Sequence, residues 1–120
     1  MSSKGILDDL TATRLCAEAA EIRTWDEYGK PYCKDLFGLE MQYWPLTNDA
    51  QAMALVKRFG LGFDRNIILG EWHVIMVDER SVVKNQGADA DLNRAIVYCV
   101  AKMKAAIREG GAPIAKESDK

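Results

Sequence analysis

The stretch that decides the fold is Tyr43-Trp44-Pro45-Leu46-Thr47-Asn48-Asp49. Pro45 disfavours helical backbone at the residue before it, so a helix is expected to begin only after this point. Asn48 followed three residues later by Gln51 is a capping-box pattern, with Thr47 as the alternative cap. Gly60 matches the glycine that commonly ends a helix. These signals predict a helix over residues 49–59.

Two further helices are predicted on either side of this one. Toward the N-terminus, apolar residues recur at helical spacing and predict a helix over about residues 7–23. Toward the C-terminus, the longest apolar stripe of the chain begins after Asp89 and Asp91 and ends at Gly110-Gly111. Its members are Leu92, Ile96, Cys99, Val100, Met103 and Ile107. Residues 112–120 are small and charged, and we expect a flexible tail there.

Between the second and third helices the pattern changes to that of strands. Residues 72–77 are rich in β-formers, which predicts a β-hairpin that turns near Gly70. Both faces of this strand are apolar except at His73, so helices are expected to cover much of both faces. Residues 24–42 show no clear period and predict an irregular connection, and residues 81–90 predict a second connection.

Composition favours one small globular domain, residues 1–111. The chain of 120 residues is 48% hydrophobic and 28% charged, and its net charge of −2 argues against nucleic acid as the main partner. The three cysteines are widely spaced and predict neither a disulfide framework nor a zinc site. With no apolar run that reaches membrane-spanning length and no signal core, a cytoplasmic location is expected.

The candidate binding residues are five aromatic residues and one proline. They bunch around the predicted irregular connection and the proline turn: Trp25, Tyr28, Tyr32, Tyr43, Trp44 and Pro45. Aromatic side chains with polar tips are favoured at interfaces, although the same rings could instead pack on the first helix. No catalytic residue, metal-ligand set or cofactor is predicted. His73 is the only histidine, and the carboxylates at Asp78 and Glu79 fit a solvated turn.

The order and spacing of several residues resemble one known family, the phage ABA sandwich domain. The resembling features are Tyr43-x-Pro45-x-Thr47, Phe59-Gly60-Leu61, Trp72, and Gly87-x-Asp89-x-x-Leu92-x-Arg94-Ala95-x-Val97 followed by Lys102. The likeness covers about residues 10–110. It implies an α/β fold, a small helix-sheet-helix (ABA) sandwich with a central β-hairpin or short antiparallel sheet and three main helices. It implies a phage or prophage origin and no known reaction.

These observations favour a small accessory protein that acts by binding in the cytoplasm of a bacterial host. The expected partner is a host or phage protein held by the aromatic residues, and a homodimer through an edge strand is an additional possibility. The alternative is a small-molecule-binding domain with a pocket beside the hairpin, where His73 or Arg80 orients a polar ligand. A small hydrolase is the weaker alternative. It would require His73 beside Asp78, Glu79 or a cysteine.

Overall fold

The computed structural model describes residues 8–35, 37–77 and 83–110, and the side chains of these residues except 83–85 and 108–110. Within these residues there are three helices: α1 (Asp9–Ala19), α2 (Asp49–Phe59) and α3 (Leu92–Gly110). The same residues form two antiparallel sheets. The first contains β1 (Trp25–Glu27), β2 (Lys30–Lys34) and β3 (Glu40–Gln42), and the second contains β4 (Gly62–Asn66), β5 (Glu71–Val77) and β6 (Val83–Asp89). The predicted class, a small α/β sandwich with three main helices, is confirmed. The predicted tail, residues 112–120, lies outside the described residues.

Helix α2 begins and ends as the sequence predicts. The Asn48 side chain accepts a hydrogen bond of 3.0 Å from the Gln51 backbone N–H, so Asn48 is the cap. Gly60 adopts left-handed backbone with φ 62°, and Leu61 N–H bonds to the Val56 carbonyl in the pattern of a Schellman motif. The Gln51 side chain does not close a capping box. Its amide accepts from Trp44 N–H at 2.6 Å and donates to the Gln42 carbonyl at 3.1 Å, which ties α2 to the end of β3.

Helix α1 is shorter than predicted. Asp8 caps its start by accepting a hydrogen bond from Thr11 N–H, and the helix ends at Ala19. Glu21 takes left-handed backbone with φ 60°, and the Ile22 N–H bonds to the Ala17 carbonyl at 2.8 Å. Because the left-handed residue that ends the helix is a glutamate, no glycine marks this end in the sequence. Ile22 continues the apolar spacing but packs on the core from beyond the helix end.

The prediction that residues 24–42 form an irregular connection is wrong, because they contain the first sheet. Its strands are only three to five residues long, and Pro31 lies within β2, so the alternation is too short to stand out. Tyr28 and Gly29 join β1 to β2 with positive φ at both positions, as a two-residue type I′ turn requires. Pro31 and Cys33 are buried and Tyr32 between them is only partly so, which gives the sheet one face toward the core.

The second sheet contains the predicted hairpin and one strand that was not predicted. β4 and β5 pair with Phe63 opposite Val74, and Gly70 closes the turn with φ 70°. Residues 83–89, predicted as a connection, form β6 along the other side of β5. The sequence of β6 is largely polar and contains a glycine, so it lacks the apolar alternation that indicates a strand. Pairing with β5 stabilises β6 as a strand, although its own sequence pattern does not predict one.

Helix α3 lies at the centre of the described chain. It contacts β5 and β6 on one side and α1 and α2 elsewhere on its surface. On β5, Val74 and Met76 are buried, whereas His73, Ile75 and Val77 on the opposite face are only partly buried. Among the described helices α3 alone makes extensive contact with β5 and β6. The expectation that helices cover much of both strand faces is therefore wrong for this part of the chain.

Gly87 sets how closely β6 approaches α3. A Cβ atom at this position would lie 2.5 Å from the Ala95 carbonyl oxygen and 3.0 Å from the Cys99 amide nitrogen. Both are backbone atoms of a packed helix, so they cannot move aside as a flexible side chain would. The sheet can therefore pack this tightly on α3 only because residue 87 has no side chain.

Replacing Gly87 with alanine should lower the free energy of unfolding by about 1–3 kcal/mol, because the sheet and helix must separate to accept the methyl group. Urea denaturation followed by circular dichroism measures this change. The matched control is Gly62→Ala in the same sheet, where the new Cβ would lie 3.6 Å from Ile75 Cγ1 in ordinary contact. A Gly87→Ala variant as stable as the Gly62→Ala variant would contradict this account.

Candidate functional site

The six residues predicted to bind a partner do not form one surface. Tyr43 has only 2% of its surface exposed and Pro45 is also buried, so these two belong to the core and are not available to a partner. Their prediction as contact residues rests on their place in the sequence, directly after the predicted irregular connection of residues 24–42. Trp44 is partly buried against the core, and its backbone N–H is held by Gln51.

The other three aromatic residues remain accessible on the first sheet. Trp25 and Tyr32 are directly paired, so their side chains share the sheet face opposite to the buried Cys33. Trp25 also donates a hydrogen bond of 2.9 Å to Glu27. Tyr28 lies at the tip of the β1–β2 turn and is 95% exposed, with left-handed backbone that is unusual for a bulky residue.

The structure also shows an exposed apolar surface that the sequence analysis does not predict. Ile67, Ile68 and Leu69 form the turn between β4 and β5, and they are 84%, 95% and 62% exposed. We call these three residues the hairpin tip. The turn is closed by a hydrogen bond from Gly70 N–H to the Asn66 carbonyl and by one from Leu69 N–H to the Asn66 side chain. Asn66 and Gly70 were the available signal that the aliphatic residues between them belong to a turn.

His73 lies on the partly exposed face of β5, where its Nε2 is 3.2 Å from Glu71 Oε1. Beside it is a shallow depression lined by Asp64, Arg65, Asn66, Ile67, Ile68 and His73. None of the six candidate binding residues lines this depression. Asp78, Glu79 and Arg80 lie outside the described residues. Within the described chain, no three His, Cys, Asp or Glu side chains are grouped to hold a metal ion.

A polar cluster joins the start of α1 to the start of α3. Arg94 lies 2.7 Å from Asp9 Oδ1 and 3.5 Å from Asp89, and its guanidinium stacks over the Tyr98 ring at 4.9 Å. The Tyr98 hydroxyl donates to the same Asp9 oxygen at 2.8 Å. Burial alone would raise the pKa of Asp9, but the hydrogen bonds from Tyr98 and Arg94 outweigh it and hold the pKa below the usual 3.8. Burial also raises the pKa of Tyr98 to about 12.

A cleft separates the inner face of the first sheet from α2. Its volume is about 590 Å³, which falls within the range of small-molecule sites in proteins. The sheet contributes Cys33 and Met41, Tyr43 follows the end of β3, and α2 contributes Ala54, Leu55 and Arg58. The cleft is therefore mostly apolar inside, with charged residues at its edge. It is distinct from the depression beside His73, where the sequence placed a pocket.

Comparison with known proteins finds no family model that matches this chain and no significantly similar curated protein. The resemblance to the phage ABA sandwich domain therefore stays a prediction. Each helix within the described residues is too short or too polar to cross a membrane.

The Asp9 cluster should contribute to stability in a pH-dependent way. The pKa of Asp9 is lower in the folded protein than in the unfolded chain, so its contribution is present above about pH 4 and is lost as the pH falls through the folded pKa. Asp9→Asn should therefore cost up to about 1 kcal/mol at pH 7, since both Asp9 and Arg94 are partly exposed.

At a pH well below the folded pKa of Asp9, where the carboxyl group is protonated, this difference should nearly vanish. Urea denaturation at a series of pH values measures it. Asp26→Asn is the control for loss of one negative charge, because it removes the more exposed ion pair with Arg14. If the stability curve of Asp9→Asn ran parallel to that of the unsubstituted protein at every pH, the cluster would not have the role described.

Proposed function

We propose that this protein acts by binding another protein, and that the hairpin tip is part of its contact surface. The observation that carries the proposal is the exposure of three consecutive large aliphatic side chains, Ile67, Ile68 and Leu69. Single exposed apolar residues are ordinary on protein surfaces, but contiguous apolar patches mark interaction sites. Complete burial of one such side chain on binding would contribute about 1.5–3 kcal/mol before the costs of association.

The accessible aromatic residues of the first sheet support the same function. Tyr28 holds left-handed backbone at an almost fully exposed turn tip, and a strained residue of this kind costs about 1–3 kcal/mol. Folding gives no reason for a tyrosine at this position, because asparagine or glycine fits the turn better. Contact with a partner would give a reason for it, since tyrosine supplies a large contact area with a polar tip. Trp25 and Tyr32 extend this surface along the sheet face.

The partner is proposed to be a phage or host protein in the cytoplasm of a bacterial host, as the resemblance in the sequence implies. A second copy of the chain is the competing partner, because β4 lies at the edge of the second sheet and leads directly into the hairpin tip. Edge strands offer unpaired backbone groups for pairing with another chain. Measuring the oligomeric state of the purified protein distinguishes these two candidate partners.

Replacing Ile67, Ile68 and Leu69 with serine should leave the fold intact, because these side chains are exposed, and should weaken partner binding at least about tenfold. A photo-crosslinking residue placed at Ile68 identifies the partner, and the same residue at the exposed Lys57 on α2 is the control. Affinity of the captured partner is then measured by calorimetry with the purified proteins. Unchanged affinity in the serine variant would overturn the proposal for the hairpin tip.

Replacing Tyr28 with asparagine should raise the free energy of unfolding by up to about 1 kcal/mol, because asparagine tolerates left-handed backbone better. The same variant should bind the partner more weakly if Tyr28 contacts it. Urea denaturation measures the free energy of unfolding, and calorimetry on the same sample measures the affinity for the partner. A variant that is more stable and binds equally well would remove Tyr28 from the contact surface.

A further inference from the structure

Strand β4 is the most regular free edge of the two sheets. The described chain has four edge strands, β1, β3, β4 and β6. β1 and β3 are only three residues long, and the pairing of β6 is interrupted by a register shift next to Met76 and Val77. β4 pairs with β5 over five consecutive residues without a shift, and no described strand pairs with its other side. Such an edge presents unpaired backbone N–H and C=O groups, and β4 contains neither a bulge nor a proline that would block them.

The helix-facing side of the sheet remains accessible beside this edge, because α3 packs mainly on β5 and β6. Phe63 and Arg65 lie on that side, since they are directly paired with Val74 and Trp72. Both are nevertheless exposed, Phe63 by 41%. The Phe63 ring meets the Trp72 ring edge to face at 6.0 Å, and the Arg65 guanidinium lies 5.6 Å from the centre of the same Trp72 ring. These contacts hold both side chains in place next to the free edge.

The two charged residues of β4 lie on opposite sides of the sheet. Asp64 is paired with His73 on the side away from α3, whereas Arg65 lies on the helix-facing side. Neither forms an ion pair with another described side chain. Opposite charges directly across two strands are stabilising, and like charges are destabilising. A strand added beside β4 is therefore selected for a basic side chain opposite Asp64 and an acidic one opposite Arg65.

A second copy of the chain fits this edge less well than a different sequence does. Directly opposite residues of an antiparallel pair lie on the same side of the sheet, so a two-fold axis between two β4 strands places one residue opposite its own copy. An axis at Asp64 sets two carboxylates against each other, and an axis at Arg65 sets two guanidinium groups against each other. An axis at Phe63 moves Arg65 opposite Leu61, which precedes the strand and belongs to the core. A strand with its own sequence avoids these pairings.

We propose that an extended segment of the partner protein adds to β4 as a further strand, with an acidic side chain opposite Arg65, a basic one opposite Asp64 and an apolar one opposite Phe63. Main-chain hydrogen bonds would hold the segment, and its alternate side chains would give specificity. The hairpin tip follows directly after β4, so the same partner can contact both. This inference rests on the proposed protein-binding function and specifies how the partner is bound.

The probes are four synthetic peptides with a three-residue centre flanked on each side by three threonines. The centre Glu-Lys-Ile matches β4 in the antiparallel direction, and Ile-Lys-Glu matches it in the parallel direction. The other two peptides have the glutamate and lysine exchanged. Two-dimensional amide NMR titration of the full chain measures the affinities, and hydrogen exchange locates the site. We expect one matched peptide to bind about three- to tenfold more tightly than its exchanged counterpart and to slow exchange of β4 amides but not of β1 amides.

A charge-reversed variant tests the register. Asp64→Lys combined with Arg65→Glu keeps the net charge and should keep the fold, because both side chains are exposed. It should reverse the preference, so that the exchanged peptide binds more tightly than the matched one. The control is Glu27→Lys combined with Lys30→Glu, a directly paired couple on the first sheet, which should leave the preference unchanged. The inference is overturned if no peptide binds, if matched and exchanged peptides bind equally, or if the reversed variant keeps the original preference.

The serine variant of the hairpin tip separates this inference from the proposed function. It leaves β4 unchanged, so it should bind the peptides as the unsubstituted protein does. Loss of the captured partner in the serine variant, without any peptide preference in the unsubstituted protein, would overturn only strand addition at β4. A clear peptide preference together with unchanged partner affinity in the serine variant would overturn only the role of the hairpin tip.

Discussion

The close contact between β6 and α3 is the constraint on which the rest of the structure depends. At Gly87 the strand backbone lies so near to α3 that no side chain fits between them. The helix itself is lined with small and medium apolar residues, so α1 and α2 also pack closely on it. The fully buried members are Ala95, Ile96, Val97, Cys99, Val100 and Ala101. Two helices, α1 and α2, and two strands, β5 and β6, therefore pack directly on this one helix.

Several contacts then fix α1 against α3. The Cys16 thiol donates a hydrogen bond of 3.2 Å to the Val97 carbonyl inside the core, and Arg94 joins Asp9 and Asp89 at the edge. Gly87, Asp89 and Arg94 are among the residues that resemble the phage family. Their roles here are packing, helix entry and ion pairing, so they account for the fold and leave function to other parts of the surface.

The proposed contact surfaces lie where folding does not explain the residues present. The hairpin tip exposes aliphatic side chains that add nothing to the core, and Tyr28 holds a backbone conformation that other residues adopt more easily.

The sequence by itself determined the three helices and the β4–β5 hairpin. Capping residues such as Asn48, the left-handed Gly60 and long apolar periods act within a few residues, so their effects are local. Tertiary structure alone decided the first sheet and β6, because short or polar strands are stabilised by partners far along the chain. It also decided which aromatic residues are accessible. Tyr43 is buried and Tyr28 is exposed, because Tyr43 packs into the core just after β3 whereas Tyr28 lies at the tip of the β1–β2 turn. Exposure therefore depends on tertiary packing and not on sequence proximity.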